Sequence, residues 1–220
     1  MAINIAIDGP SASGKSTIAK ALAKELHYKY LDTGAMYRCC AYFAKINNIN
    51  IDNEKDVENM LLKLHIDFSL EGKVLMNGKD VSTLIRTNEI SMLTSKLSQL
   101  QIVRMYLVKL QQTITANKSY IVDGRDIGTV VLPHAEIKIF LIADVKERAE
   151  RRFQEALQKG EEVSFDVICK DIEARDKADR GRLLSPLKKA KDAIEIDSSK
   201  LTIDEVKRNI LDVIKTKEVL

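Results

Sequence analysis

Eight residues near the start of the chain, Gly9-Pro10-Ser11-Ala12-Ser13-Gly14-Lys15-Ser16, leave few folds open. They fit G-x-x-x-x-G-K-[ST] at every fixed position. Such a run carries meaning only between a strand and a helix, and both flanks are present. Residues 3–8 are a short, β-branched apolar stretch that reads as a buried strand. From Lys15 onward, Ile18, Ala19, Leu22, Ala23 and Leu26 recur at helical spacing, with Lys20, Lys24 and Glu25 elsewhere. Glycine lets a backbone approach an anion in conformations that a Cβ forbids. Convergent N–H groups and the positive end of the helix dipole then hold it. Lys15 adds a point charge suited to β- and γ-phosphates, and the Ser16 hydroxyl suits Mg²⁺, a hard cation that prefers oxygen. A nucleoside triphosphate, with ATP first, is the expected ligand.

The alternation continues. Residues 28–31, 120–124, 137–142 and 193–197 read as further strands, and 33–46, 101–112, 146–157 and 202–214 as helices. This predicts an α/β chain with a five-stranded parallel sheet flanked by helices, the P-loop NTPase fold. One segment breaks the rhythm. Residues 65–70 alternate, Glu71-Gly72 turns, residues 73–77 alternate again, Asn77-Gly78 turns, and Asp80-Val81 starts a third short strand. This predicts a small antiparallel unit inserted as a lobe. The chain has 220 residues, three prolines and no Pro-rich linker, so a single domain is expected.

Composition narrows the function. Hydrophobic residues make up 45% and charged residues 30%, which excludes a disordered tail and a membrane protein. Trp is absent and aromatics are 5%, so the core is expected to be aliphatic and a stacking platform for single-stranded nucleic acid is disfavoured. The 35 basic and 32 acidic residues leave +3, too balanced for a general polyanion binder. Cys39 and Cys40 are adjacent and Cys169 is distant, which gives neither a disulfide framework nor zinc spacing. Buried reduced thiols and a cytoplasmic location are expected, with no signal peptide and no membrane span.

Residues beyond the phosphate loop narrow the class of P-loop protein. A switch GTPase needs an N-K-x-D segment and a D-x-x-G segment, and neither is present; in Asn77-Gly78-Lys79-Asp80 the lysine is out of register. The strand at 120–124 delivers Asp123 as a second-metal strand does, but Gly124-Arg125-Asp126 comes next and puts an arginine where phosphates would sit. Arg38, Arg104, Arg148, Arg151, Arg152, Arg175, Arg180 and Arg182 recur at other junctions. Any one of these suits a solvated face. As a group they suit a transferase that joins two phosphorylated ligands. A kinase for UMP, AMP, shikimate or a nucleoside stays open at this point, as does an RNA-binding protein that uses ATP as a switch.

Four segments together resemble the bacterial cytidylate kinase (CMP kinase) family. They are residues 9–16, Leu31-Asp32-Thr33-Gly34-Ala35-Met36-Tyr37-Arg38, Asp123-Gly124-Arg125-Asp126-Ile127-Gly128-Thr129-Val130-Val131, and Arg175-Asp176 with Asp179-Arg180. The resemblance covers nearly the whole chain, and the D-G-R-D-I-G-T-V-V run is its most specific part. It implies ATP-dependent phosphorylation of CMP and dCMP, with Mg²⁺, in pyrimidine nucleotide metabolism. It further implies that Gly9, Pro10, Ser11, Ala12, Ser13, Gly14, Lys15, Ser16 and Thr17 hold ATP, with Ser16 on the metal. Arg148 and Arg152 resemble lid arginines over ATP. Thr33 and Arg38 would meet the CMP phosphate side, Ser95, Arg104 and Asp126 the cytosine, and Arg125 the acceptor phosphate. Arg175 and Asp179 would reach phosphate and ribose, and Arg182 the base; Lys15, Arg125 and Arg175 would be the catalytic residues. Thr33 stands where Ser is common and keeps the hydroxyl. The resemblance also implies an organisation: a core of about 1–37, 101–150 and 184–220, an inserted monophosphate-binding lobe of about 38–100 made of helices and the small antiparallel hairpin unit, and a helical lid of about 151–183. The expected partners are ATP, CMP and dCMP, with no nucleic acid and no membrane, and the protein is expected to act as a monomer.

Overall fold

The computed structural model describes residues 2–69, 72–158, 160 and 162–218. In chain order the elements are β1 (Asn4–Asp8), α1 (Lys15–Leu26), β2 (Lys29–Asp32), α2 (Thr33–Ile46), α3 (Glu54–Lys63), β3 (Ile66–Phe68), β4 (Val74–Met76), β5 (Lys79–Asp80), α4 (Asn88–Leu97), α5 (Gln101–Thr115), β6 (Tyr120–Gly124), β7 (Ile137–Ile142), α6 (Val145–Gln158), α7 (Phe165–Gly181), β8 (Ile194–Asp197) and α8 (Ile203–Glu218). A 3₁₀ turn covers Leu84–Arg86 and a π-helical turn Ile127–Val131. The chain divides into two compact units, Met1–Leu31 with Asn117–Leu220, and Asp32–Ala116.

In the first unit, five parallel strands run in the order β2-β6-β1-β7-β8. β1 is central: Ile5 lies opposite Ile121 on one side and Ile137 on the other. All of β1 is buried, as its unbroken apolar run requires of a strand covered on both faces. Ile5, Ile7, Ile121 and Ile139 pack with Ile18 and Leu22 of α1 and with Val206, Ile210 and Ile214 of α8, an aliphatic core without Trp. The connection after β1 runs to one edge of the sheet, and the connection after β6 runs past β1 to β7. The carboxyl ends of β1 and β6 therefore lie side by side where the connections diverge, the place at which open α/β sheets bind ligands. The register sets Ile7 beside Asp123 and Asp8 beside Gly124.

α6 and α7 pack around Ala149, Ile168 and Ile172, with the Phe153 and Phe165 rings edge to face at 6.0 Å. Charge dominates residues 158–182 in the sequence, yet most of this stretch is the continuous helix α7. Its buried residues are Ile168, Ile172 and Asp176, a stripe too thin to register as a helical period.

The second unit holds α2 to α5 and the three-stranded antiparallel sheet β3-β4-β5. Asn77 and Gly78 both have positive φ (48° and 78°), the backbone that a tight I′ turn between β4 and β5 needs. Leu70 and Glu71, at the end of the expected first strand and in its turn, lie outside the described residues. Helices α3 and α4 are helices of the expected lobe whose bounds the apolar spacing does not mark; Asn53 and Thr87 cap them by accepting hydrogen bonds from first-turn amides. The interior includes Met36, Val57, Met60, Ile85, Ile90, Val103 and Leu107. Cys39 and Cys40 are buried here, and burial pushes the Cys39 thiol up to about 12 and the Cys40 thiol further up. Cys169 differs from expectation: it is half-buried, against the α6–α7 cluster of the first unit. No helix among the described residues is long and apolar enough to cross a membrane.

Candidate active site

The loop from Gly9 to Gly14 leaves the end of β1 and enters α1, so the sequence pattern and the chain path agree. Gly9 is required by space: with φ at 150°, a Cβ there would lie 2.0 Å from the Leu141 carbonyl oxygen of β7. Pro10, Ser11 and Ser13 are buried, Ala12 and Gly14 half-buried, and Ser16 and Thr17 exposed at the start of α1. The Lys15 ammonium donates to the Pro10 carbonyl at 2.5 Å and to Ser13 Oγ at 3.2 Å. Burial and the nearby Arg125 guanidinium hold this ammonium well below its usual value, against the pull of Asp123, Asp8 and Asp179. Ser16 Oγ donates to Asp123 Oδ2 at 2.6 Å, and Tyr30 Oη donates to Asp123 Oδ1 at 3.0 Å.

Two arginines of α6 brace the loop. Arg148 donates from Nη1 to the Ser11 carbonyl (2.9 Å), from Nη2 to Asp176 Oδ2 (2.6 Å) and from Nε to the Ala143 carbonyl (2.8 Å). All three guanidinium nitrogens of Arg148, of which the resemblance implies an ATP contact, serve protein acceptors in a buried position, and through the Ser11 carbonyl the residue braces the loop. Arg151, to which the resemblance assigns no individual role, donates to the Ser198 carbonyl at 2.6 Å, and Ser198 Oγ donates to the Ser13 carbonyl at 3.2 Å. Arg152 lies half-buried on α6.

A second cluster stands on the residues after β6 and on α7. Arg125 Nε donates to Asp179 Oδ2 at 2.8 Å and Nη1 to the Gly124 carbonyl at 3.2 Å. Arg182 Nη2 lies 3.8 Å from Asp179 Oδ1. Burial opposes the Asp179 charge, but Arg125, Arg182 and Arg175 outweigh it and hold the carboxyl below its usual range. The structure thus brings Arg125, Arg175, Asp179 and Arg182 together. Asp126 is buried beside them in sequence, at the foot of the π-helical turn.

The second unit carries the other expected residues. Asp32 caps α2 by accepting from the Ala35 amide at 2.8 Å and takes Arg86 Nη2 at 3.1 Å. Thr33 opens α2 and is buried; Arg38 folds back over Gly34, where a Cβ would lie 3.3 Å from its Nη1. Arg104 of α5 is buried, donates to the Ser98 carbonyl at 3.2 Å and lies 5.5 Å over the Tyr37 ring of α2. Ser95 is half-buried on α4, one turn before Ser98.

Among the described residues no group of three His, Cys, Asp or Glu side chains is placed to hold a metal ion. Ser16 with Asp123 offers two hard oxygen ligands. That set fits Mg²⁺, which keeps several waters and takes its remaining ligands from substrate phosphates, and does not fit an all-protein cage.

A glycine-rich loop between the central strand and a helix, with its lysine and serine beside a carboxylate from the neighbouring parallel strand, defines a P-loop protein of the small-kinase type. A shikimate kinase from Bacteroides thetaiotaomicron shares this fold, with a TM-score of 0.51 at 11% identity, covering 98% of this chain and 99% of that one. The family model for cytidylate kinase matches residues 5–216, and the chain belongs to that family. Similar relatives include the cytidylate kinase of Thermosipho melanesiensis, 50% identical over 217 residues with 99% of both chains covered. The cytidylate kinase of Bacillus cytotoxicus is 48% identical over 216 residues, with 96% of each covered.

Proposed function

We propose that this chain transfers the γ-phosphoryl group of ATP to CMP and dCMP, giving ADP with CDP or dCDP, in pyrimidine nucleotide metabolism. One observation carries the reading: the D-G-R-D run that the cytidylate kinase family model covers stands at the end of β6, beside the phosphate loop, with its arginine held by Asp179. The acceptor is a phosphate oxygen that is already anionic, so no strong general base is needed; positioning and charge neutralisation do the work. The oxygen–phosphorus bond to the β-phosphate breaks as the bond to the CMP oxygen forms.

In this proposal the backbone of residues 9–17 and Lys15 hold the triphosphate, with Arg152 nearby. Ser16 and Asp123 would hold Mg²⁺, which when bound spreads the charge of the β- and γ-oxygens. Arg125 and Arg175 stabilise the transferred and accepting phosphates. Asp126 accepts from the cytosine 4-amino group, where uracil offers a carbonyl that repels an acceptor. Thr33 and Arg38 serve the CMP phosphate, Ser95 and Arg104 the base, and Asp179 with Arg182 the ribose and base. The proposal includes a core of about 1–37, 101–150 and 184–220, a monophosphate lobe of about 38–100 and a lid of about 151–183. It also has the protein acting in the cytoplasm, as a monomer, on small nucleotides and not on nucleic acid.

The test is a coupled ADP-release assay with ATP and Mg²⁺ over CMP, dCMP, UMP, AMP, shikimate and nucleosides. CMP and dCMP are expected to give the largest kcat/KM. A larger value for any acceptor lacking a cytosine refutes the substrate assignment.

A further inference from the structure

Asp8 is the last residue of β1 and is buried, with 4% of its surface exposed. Its Oδ1 accepts from the Ile127 amide at 2.8 Å and its Oδ2 from the Gly128 amide at 2.7 Å. These are the first two amides of the π-helical turn, groups that have no partner within a helical turn. Such turns are rare and recur at functional sites. The backbone of Asp8 also pairs with Gly124 in the sheet register. Arg125 and Asp126 are therefore the two residues spanning one anchor to the other, and both anchors belong to Asp8. A Cβ at Gly128 would crowd the Lys138 side chain, 3.2 Å from its Cδ, and would meet Asp8 Oδ2 only at ordinary contact distance, 3.4 Å.

We propose that Asp8 is a positioning residue for acceptor recognition: by clamping the Ile127–Val131 turn to the end of β1, its carboxylate sets the direction in which Arg125 and Asp126 face the monophosphate. This rests on the roles of Arg125 and Asp126 given above. The energetics argue against a purely structural clamp. Burial pushes the Asp8 carboxyl up to about 6, with Asp126 adding to the rise, while the two amides and Lys15 pull it down. The charged groups around it are thus Lys15 of α1, Asp126 of the turn and, across Gly128, Lys138 of β7. At neutral pH the ionised form is less favourable in the fold than in water. A neutral amide of the same shape escapes that desolvation cost, but it turns an N–H donor toward one of the two amides and so loosens the clamp at one of its two points. Strongly perturbed carboxyls that reduce stability are found where function needs them.

The test compares wild type, Asp8→Asn and Asp126→Asn in steady-state kinetics with ATP, CMP and UMP, together with thermal unfolding at pH 7. For Asp8→Asn the expected result is a rise in the KM for CMP of about tenfold or more, because small misplacements of binding groups carry large penalties. The KM for ATP should stay within about twofold. A CMP KM within about twofold of wild type overturns the proposal. So does an equal rise in both KM values with a lowered Tm, the mark of a structural residue. If Asp126→Asn loses CMP-over-UMP preference and Asp8→Asn keeps both that preference and its CMP KM, the clamp fails alone. If Asp126→Asn keeps the preference, its base-reading role fails, and the clamp then stands or falls on the CMP KM, through Arg125. Asp8→Glu keeps the charge and both acceptor oxygens but moves them by one methylene, so it perturbs the same clamp without opposing two donors. The same selective rise in CMP KM is expected, and its absence in both variants counts against the clamp even if Asp8→Asn folds poorly.

Discussion

Replacing Arg148 by Met keeps the aliphatic stem and deletes the guanidinium, so its effect can be worked from three contacts. The Ala143 and Ser11 carbonyls lose donors at 2.8 and 2.9 Å, and Asp176 loses a charged partner at 2.6 Å. A hydrogen bond from a charged donor contributes about 1.5–3 kcal/mol, so the gross loss is about 4.5–9 kcal/mol. The guanidinium no longer has to be desolvated, which returns several kcal/mol and leaves a net destabilisation of about 3–5 kcal/mol, typical of removing one partner from a buried ion pair. Asp176 makes the upper half of that range the better expectation. Its Oδ1 has no hydrogen-bond partner among the described residues, so the variant leaves both carboxylate oxygens buried and unpaired. For a chain of this length the Tm should fall by about 6–20 °C in differential scanning calorimetry. Arg148→Met with Asp176→Leu removes both charges and should recover most of the loss, because a buried pair replaced by apolar residues is often neutral. A fall of less than about 2 °C in the single variant, or a double variant no better than the single, refutes the reasoning.

Lys15→Ala should lower kcat by at least about 10²–10³, the size of effect expected on losing one stabilising group aimed at developing charge; turnover near wild type removes Lys15 from the transfer step. For Asp8, the folded carboxyl near 6 lies above the ordinary 3.8, so this group's contribution to stability declines as pH rises from about 4 through 6. Asp8→Asn should lack that decline, worth about 3 kcal/mol at most, and parallel stability–pH curves for the two proteins would contradict it. Asp179 helps to keep the Lys15 ammonium protonated. Asp179→Asn should therefore move the alkaline limb of the kcat/KM–pH profile to lower pH, whatever it does to the height, and an unmoved limb contradicts the coupling. Hydrogen exchange across residues 158–182 should slow with a bisubstrate analogue bound, and unchanged exchange counts against the proposed lid.

What could be read from sequence was local or strongly periodic. The loop at residues 9–16 is a contiguous pattern with its strand before and its helix after, and α1 and α2 begin and end where their apolar spacing does. The β4–β5 turn was legible in Asn77-Gly78 because only certain residues accept two positive φ values in a row. The resemblance implies lobe helices, but the bounds of α3 and α4 are not legible in the residues themselves, because each is short and exposes much of its surface. α7 follows from the helical lid that the resemblance implies and not from apolar spacing, because its inward face includes Asp176 between charged neighbours. The site obeys the same divide. Lys15, Ser16 and Asp123 could be picked out one by one. The partners that set their geometry could not, because Tyr30 meets Asp123 across 93 residues, Asp8 meets Ile127 across 119 and Ser198 meets Ser13 across 185. Each pairing depends on strand register and on the stagger of a loop, which no local pattern encodes.

The same register explains how a chain with a net charge of only +3 can gather so much positive charge at one sheet edge. Burial first, and then repulsion from the nearby Arg125 guanidinium, lowers the proton affinity of Lys15. The carboxylates are interleaved where that repulsion is greatest. Asp179 lies between Arg125 and Arg182, Asp123 lies beside Ser16, and Asp176 pairs with the arginine that braces the phosphate loop. On the proposed function, an incoming phosphate meets donors that an anion already orients. Exchanging one oxyanion partner for another requires little reorganisation, which is what electrostatic stabilisation of a phosphoryl transition state demands of its donors. A site built from unpaired arginines would bind phosphate more strongly, but it would have to hold that repulsion in the free protein. The acidic residues therefore serve stability before substrate arrives and orientation once it does.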